Sequence, residues 1–114
     1  MRIGDLSRRT GISSSRIRFY EKHDVLPKAI RDGNGYRAYP DTAVKILELI
    51  DAAQRLGFSL SEIRVALSEA APNFPSRAAT AKALRSKLDY IDQHIKDVRA
   101  RRRQIVKLLK EMGD

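Results

Sequence analysis

The segment TGISSSRIRFYEKHDVLP at residues 10–27, followed by GYRAY at residues 35–39, decides the fold of this chain. Gly11 supplies the positive φ that a sharp turn between two helices needs. Ser13 is a good N-cap for the helix that follows, which we expect over residues 14–23. The order helix, tight turn, arginine-rich helix and loop is typical of a helix-turn-helix with a wing behind it.

The flanks of this segment complete the predicted unit. The first helix is expected over residues 3–9, with apolar side chains facing inward. The run DGNG at residues 32–35 is a strong turn signal, so the short extended pieces at 29–31 and 36–38 are predicted to pair as a hairpin.

Two more helices are predicted after the hairpin. Apolar residues recur at helical spacing over residues 42–56, and Gly57 is a stop signal. Ser59 and Glu62 have the spacing of a capping box, which predicts the start of a fourth helix that ends near Ala70.

The last third of the chain predicts one long helix, over residues 76–112. Its apolar positions alternate in steps of four and three, with Arg102 filling the one gap, and this is a heptad pattern. A lone helix leaves such a stripe in water, so the stripe is predicted to mediate self-association. The predicted seam comprises Leu84, Leu88, Ile91, Ile95, Val98, Arg102, Ile105 and Leu109.

Charge is strong and uneven along the chain. The net charge is +9 and the pI is about 10.3. Residues 1–39 carry a net +5, residues 40–70 a net −2 and residues 71–114 a net +6. Two basic regions on either side of a mildly acidic one indicate a polyanionic partner.

Composition excludes several classes of chemistry. The chain has no cysteine, which excludes disulfides, thiolate nucleophiles and cysteine-ligated metal sites. There is no apolar run long enough for a membrane span and no signal-peptide core, so we expect a cytoplasmic protein without a membrane partner. No paired carboxylates or phosphate loop indicate an enzyme, and the two histidines, His23 and His94, are expected in solvent rather than at a metal. No cofactor is predicted.

Together these segments resemble the MerR family of bacterial transcription regulators. The match covers about residues 1–68 without a gap in spacing, and the long helix behind it is also similar to the family. The matching segments are IGDL at 3–6, TGIS at 10–13, IRFYE at 17–21, LP at 26–27, GYRAY at 35–39 and LGFSLSEI at 56–63.

The resemblance implies a mainly α protein with a winged helix-turn-helix domain, a small hairpin wing and a long C-terminal helix that forms an antiparallel coiled coil in a homodimer. The implied domains are 1–71 for DNA binding, 72–75 as a linker and 76–114 for dimerisation. It further implies double-stranded promoter DNA as partner, with the dimer on the promoter spacer. Distortion of that DNA would then act indirectly on RNA polymerase.

Candidate DNA-binding residues follow from the helix pattern and the resemblance. The arginines of the second helix can contact guanine edges or phosphates. Tyr20 has two interpretations, as a core residue or as a phosphate contact through its hydroxyl. Phe19 departs from the family pattern, where tyrosine is usual, and so lacks a hydroxyl for DNA. The full candidate set is Ser14, Ser15, Arg16, Arg18, Tyr20, Arg31, Tyr36, Arg37 and Arg55.

The effector is not indicated by the sequence. Metal- and redox-sensing members of the family use cysteines, and multidrug-sensing members carry a further C-terminal domain, whereas this chain ends at Asp114. Two alternatives also stay open at this point. One is an architectural or recombination-accessory protein that bends DNA, and the other is a coiled-coil interaction module with incidental basic charge.

Overall fold

The computed structural model describes residues 1–31 and 33–114. The chain divides into two units, Met1–Pro75 and Ser76–Asp114. The first unit holds four helices and a two-stranded hairpin, and the second is a single helix. The assignment of residues 72–75 to a linker stays a prediction, and Asp32, part of the predicted turn signal, lies outside the described residues.

The first two helices form the predicted helix-turn-helix. Helix α1 covers Ile3–Thr10 and helix α2 covers Ser14–Lys22. Between them Gly11 has φ 73°, and its N–H donates to the carbonyl of Ser7 at 2.8 Å. Each helix differs from its predicted end by one residue, because Gly11 and His23 act as the C-caps.

The wing is shorter than predicted. Strand β1 is Ile30–Arg31 and strand β2 is Arg37–Ala38, paired antiparallel with Ile30 opposite Ala38. After β2 the chain pairs with the N-terminal residue and not with β1. The N–H of Tyr39 donates to the carbonyl of Met1 at 2.6 Å, and the amino group of Met1 donates to the carbonyl of Tyr39 at 2.7 Å.

Helices α3 and α4 close the first unit. Helix α3 covers Thr42–Arg55, and helix α4 covers Leu60–Ala70. The predicted capping box at the start of α4 is confirmed, since the Ser59 hydroxyl accepts from the N–H of Glu62 at 3.1 Å and the Glu62 carboxylate accepts from the N–H of Ser59 at 3.0 Å.

One apolar core joins these elements. It receives side chains from all four helices of the first unit and from the segments on both sides of the wing. Its apolar members are Leu6, Ile12, Ile17, Tyr20, Val25, Leu26, Tyr39, Ala43, Leu47, Ile50 and Ile63. Because Ile17 and Tyr20 anchor α2 in this core, the opposite side of α2 is left in solvent.

The second unit is helix α5, Arg77–Glu111, which is 35 residues long and spans about 50 Å. Ser76 is its N-cap, as its hydroxyl accepts from the N–H of Ala79 at 3.0 Å. No residue of α5 is buried. Within residues 1–31 and 33–114, no helix combines the length and apolarity needed to cross a bilayer.

Candidate nucleic-acid interface

The outward face of α2 is basic. The Ser13 hydroxyl accepts from the N–H of Arg16 at 3.2 Å and fixes the start of the helix. Arg16 and Arg18 are both exposed, while Ile17 between them is fully buried. Burial of one face therefore orients the two arginines toward solvent, as the sequence predicted.

Tyr20 lies in the core, with its hydroxyl at the edge of the exposed face. Its side chain is 3% exposed. The hydroxyl donates to Oε1 of Gln54 on α3 at 2.8 Å and accepts from Nη2 of Arg16 at 2.6 Å. Of the two interpretations of Tyr20, the geometry favours a core residue that holds Arg16 in place. A direct contact of Tyr20 with phosphate stays a prediction.

A single carboxylate joins α2 to α3. Oδ1 of Asp51 lies 3.8 Å from Nη2 of Arg16, and Oδ2 lies 2.8 Å from Nη2 of Arg55. The Asp51 side chain is 30% exposed, so water screens both ion pairs only in part. Two predicted DNA-binding arginines from different helices are thus brought together, and Asp51 was not predicted.

The wing presents a tyrosine and an arginine to solvent. Tyr36 is 56% exposed, and the guanidinium of Arg2 lies 4.1 Å from its ring centroid, a cation–π contact. Nη1 of Arg31 donates to the carbonyl of Gly35 at 3.3 Å, across the wing loop. Tyr36 and Arg31 are thus both exposed to solvent, and each side chain is restrained by a contact with a neighbouring residue.

Glu21 ties the wing to α2, and sequence reasoning missed this role. Its side chain is only 10% exposed. Oε1 accepts from the N–H of Ala29 at 2.9 Å, while Oε2 accepts from the hydroxyl of Tyr39 at 2.7 Å and lies 3.6 Å from Nη1 of Arg37. A buried carboxylate is costly without partners, and among the described residues the partners of Glu21 all come from the segment that contains the wing. The one sequence signal for this role is the position of Glu21, an acidic residue directly after the core residue Tyr20.

This arrangement changes the acidity of Tyr39. Burial is the largest cause that raises the pKa of the Tyr39 phenol above 10.0, and the hydrogen bond to the negative Glu21 adds to it. Arg37 acts in the opposite sense but does not cancel the effect. The neutral phenol is therefore the favoured form, and it keeps its hydrogen bond to Glu21.

The remaining candidates of α2 lie at or near its first turn. Ser14 is half-buried and Ser15 is exposed, with the Ser15 hydroxyl 3.3 Å from that of Ser13.

Phe19 is 46% exposed, and its ring packs 4.3 Å from the ring of His23, centroid to centroid. Phe19 thus packs against the C-cap residue of its own helix while keeping almost half of its surface in water.

The predicted seam of α5 forms a continuous exposed stripe. Its apolar side chains are 39–58% exposed. The structure therefore leaves unpartnered the residues that the heptad pattern assigned to self-association, which are Leu84, Leu88, Ile91, Ile95, Val98, Ile105 and Leu109, with Arg102 in the one polar position.

The fold and the exposed arginines together define a winged helix-turn-helix protein of the DNA-binding class. Comparison with known families agrees. The family model described as MerR HTH family regulatory protein matches residues 1–70, and the one described as MerR, DNA binding matches residues 44–108. The chain belongs to the MerR family.

Curated relatives extend the match along almost the whole chain. The HTH-type transcriptional regulator CueR of Yersinia pestis is 35% identical over 113 residues, which are 97% of this chain and 80% of the relative. The HTH-type transcriptional regulator HmrR of Rhizobium leguminosarum is 34% identical over 109 residues, 96% of this chain and 84% of the relative. These relatives are transcription regulators rather than enzymes.

Solved structures share the fold. A transcription regulator from Ralstonia metallidurans in complex with lead(II) is 24% identical, with a TM-score of 0.76 over 96% of this chain and 86% of that one. A MerR family regulator that lacks the sensor domain, bound to promoter DNA, is 21% identical, with a TM-score of 0.62 over 96% of this chain and 83% of that one. As a member of this family, the chain is a dimeric, promoter-binding transcription regulator.

Proposed function

We propose that two copies of this chain, joined by an antiparallel coiled coil of their α5 helices, bind a promoter spacer in the cytoplasm and distort it to control access of RNA polymerase. The observation that carries the proposal is the division of α2 into a buried apolar face and an exposed arginine face. The promoter-bound structural neighbour supports this use of the fold. An architectural role without a promoter switch is less well supported, because the named relatives are transcription regulators.

The proposed contacts fall into two kinds. Arg18, exposed on α2 and without a carboxylate neighbour among the described residues, is assigned to base edges in the major groove. The wing and α3 are assigned to phosphates, which fix position without reading sequence. The proposed DNA-binding set is Ser14, Ser15, Arg16, Arg18, Tyr20, Arg31, Tyr36, Arg37 and Arg55.

The α5 seam is proposed to pair about its own midpoint. Its positions run symmetrically from Leu84 to Leu109, so a two-fold antiparallel alignment opposes these two residues and also opposes Ile95 with Val98. Every seam residue of one half then meets a seam residue of the other half. Arg102 meets Ile91 in this alignment, a position where a charge restricts the register.

We assign no effector to this chain. One structural neighbour was solved in complex with lead(II), and a relative from Rhizobium meliloti is named Heavy metal-dependent transcription regulator 2. These 114 residues contain no cysteine, so they offer no thiolate to a soft metal. Across residues 1–31 and 33–114, no three His, Asp or Glu side chains are grouped in a way that could hold a metal ion.

A footprint on the promoter beside the protein's own gene tests the proposal. We expect protection centred between the two promoter elements, with two half-sites related by a two-fold axis. Arg18→Ala should weaken binding to this duplex by about 10–100-fold, the effect of losing one good base contact, while binding to a scrambled duplex changes little. Protection outside any promoter spacer contradicts the promoter role.

The wing is tested by the double variant Tyr36→Ala with Arg37→Ala. Because the wing is assigned to phosphates, affinity should fall by a similar factor on the footprinted and the scrambled duplex. The slope of log affinity against log salt should also become shallower by about 0.9 for the one charge removed. An unchanged affinity and salt slope would show that the wing does not contact DNA.

A further inference from the structure

The Asp51 carboxylate lies between two arginines that are proposed to bind DNA, Arg16 and Arg55. Its oxygens lie 3.8 Å from Arg16 and 2.8 Å from Arg55, so both arginines already have a partner before DNA arrives. A carboxylate and a phosphate offer guanidinium groups the same kind of oxygen pair. Asp51 is therefore placed to compete with phosphate for these two cations.

Arg16 has a second contact that holds it in a defined position beside Asp51. Arg16 also donates to the Tyr20 hydroxyl at 2.6 Å, and that hydroxyl is fixed by Gln54 at 2.8 Å. The Arg16 side chain is 48% exposed and that of Arg55 is 78% exposed, so both can still reach a ligand from solvent. The network restrains the two guanidinium groups without burying them.

We propose that Asp51 is a specificity-determining residue, which lowers binding to non-cognate DNA by competing with phosphates for Arg16 and Arg55. The inference rests on the proposed role of both arginines in DNA binding. On a non-cognate duplex, phosphate contacts supply essentially all of the affinity. Competition from Asp51 for the two arginines therefore lowers that affinity with nothing to offset it. On a cognate duplex base contacts add affinity, and the orientation that Asp51 gives to Arg16 helps α2 to make them.

The test compares Asp51→Asn with Glu69→Gln. Both changes remove one negative charge, but Glu69 is an exposed residue on α4, outside the network. Affinity is measured on the footprinted duplex and on a scrambled duplex of equal length, between about 50 and 200 mM salt. Asp51→Ser is measured in parallel, so that the loss of charge can still be read if the asparagine variant is unstable.

Asp51→Asn should raise affinity for the scrambled duplex about fivefold near physiological salt and steepen the salt slope by about 0.9, as expected for one more phosphate-neutralising charge. Affinity for the footprinted duplex should rise less, so the ratio of the two affinities falls. Glu69→Gln should leave that ratio unchanged. A gain no larger than that of Glu69→Gln, or an equal gain on both duplexes, overturns the proposal.

Asp51→Asn is also measured in a variant that lacks both arginines. This comparison distinguishes a wrong role for Asp51 from a wrong role for the arginines in DNA binding. In a variant with Arg16→Gln and Arg55→Gln, the gain from Asp51→Asn should disappear, because its targets are gone. A gain that persists shows that Asp51 acts by general repulsion and overturns the proposal. If the double arginine variant alone binds duplexes as tightly as the native protein, the assignment of Arg16 and Arg55 to DNA is wrong. If the double arginine variant binds weakly while Asp51→Asn gives no gain in the native protein, only the role of Asp51 is wrong.

Discussion

At the scale of single residues, the buried face of α2 directs Arg16 and Arg18 to solvent, and the carboxylates of Glu21 and Asp51 pair with arginines beside it. The spacing of Ile17 and Tyr20 predicted that Arg16 and Arg18 point outward, because one helical face must enter the core. The roles of Glu21 and Asp51 were not predictable in this way. The partners of Glu21 come from the wing segment, and Arg16 reaches Asp51 from α2, so these contacts depend on how the elements pack. Arg55, by contrast, lies four residues after Asp51 on the same helix.

The hydrogen bond between Tyr39 and Glu21 makes the stability of the folded protein depend on pH. Because the pKa of Tyr39 is raised in the folded protein, the folded state retains its proton at a pH where the unfolded chain begins to lose it. The stability from this contact is complete below about pH 10 and is lost as pH rises from there through the folded pKa.

The measurement is a thermal-unfolding series from about pH 8 upward on the native protein and on Tyr39→Phe. The native protein should be the more stable at the lower end, and the difference should shrink above about pH 10. Ultraviolet titration of phenolate supplies a direct check, since the absorbance step that Tyr39→Phe removes should lie above pH 10. A step at or below pH 10 would contradict the raised pKa.

At the scale of elements, local signals predicted the helix ends to within one residue but made the two wing strands too long. The N-caps Ser13 and Ser59 were predicted because a hydroxyl satisfies N–H groups within its own segment. Ser76, predicted as the first residue of the last helix, is instead its N-cap. The strands were predicted one residue too long. Strand pairing depends on which residue lies opposite each position. Tyr39 pairs with the N-terminal residue Met1 and not with the opposite strand.

The capping box of α4 gives a stability prediction at this scale. Ser59→Ala removes the hydroxyl that accepts from Glu62 and should lower the free energy of unfolding by about 1 kcal/mol. The melting temperature should fall by about 4–8 °C per kcal/mol. Ser61→Ala is the matched control, because Ser61 is exposed in the same turn and caps nothing in the described structure. Equal melting temperatures for the two variants would show that the cap adds no stability.

At the scale of the whole molecule, the heptad pattern predicted a surface that a single chain leaves in water. Seam residues such as Leu88 and Ile95, which are 57% and 41% exposed, gain from burial against a second copy. Membership in the MerR family agrees with a dimer. Which half of one helix meets which half of the other is not decided by apolar spacing alone, since the same spacing fits both orientations.

Dimerisation should also control DNA affinity. When one winged domain of a dimer has bound its half-site, the second binds from a high effective concentration, whereas separate monomers gain nothing from each other. Leu88→Asp or Ile95→Asp places an unpaired charge inside the seam, where its desolvation is costly. Either variant should therefore elute as a monomer in size-exclusion chromatography with light scattering. Each should bind the footprinted duplex more weakly, by on the order of a hundredfold.

Ser86→Asp tests whether this loss comes from the seam or from added charge. Ser86 lies on α5 two residues before Leu88, is exposed and is not a seam position, so the change adds the same charge where no partner helix is expected. The variant should remain a dimer with nearly native DNA affinity. A dimeric Leu88→Asp protein would show that the α5 stripe is not the dimer contact. A monomer with native affinity would show instead that one winged domain suffices for DNA binding, and the two-fold model of the promoter complex would then be wrong.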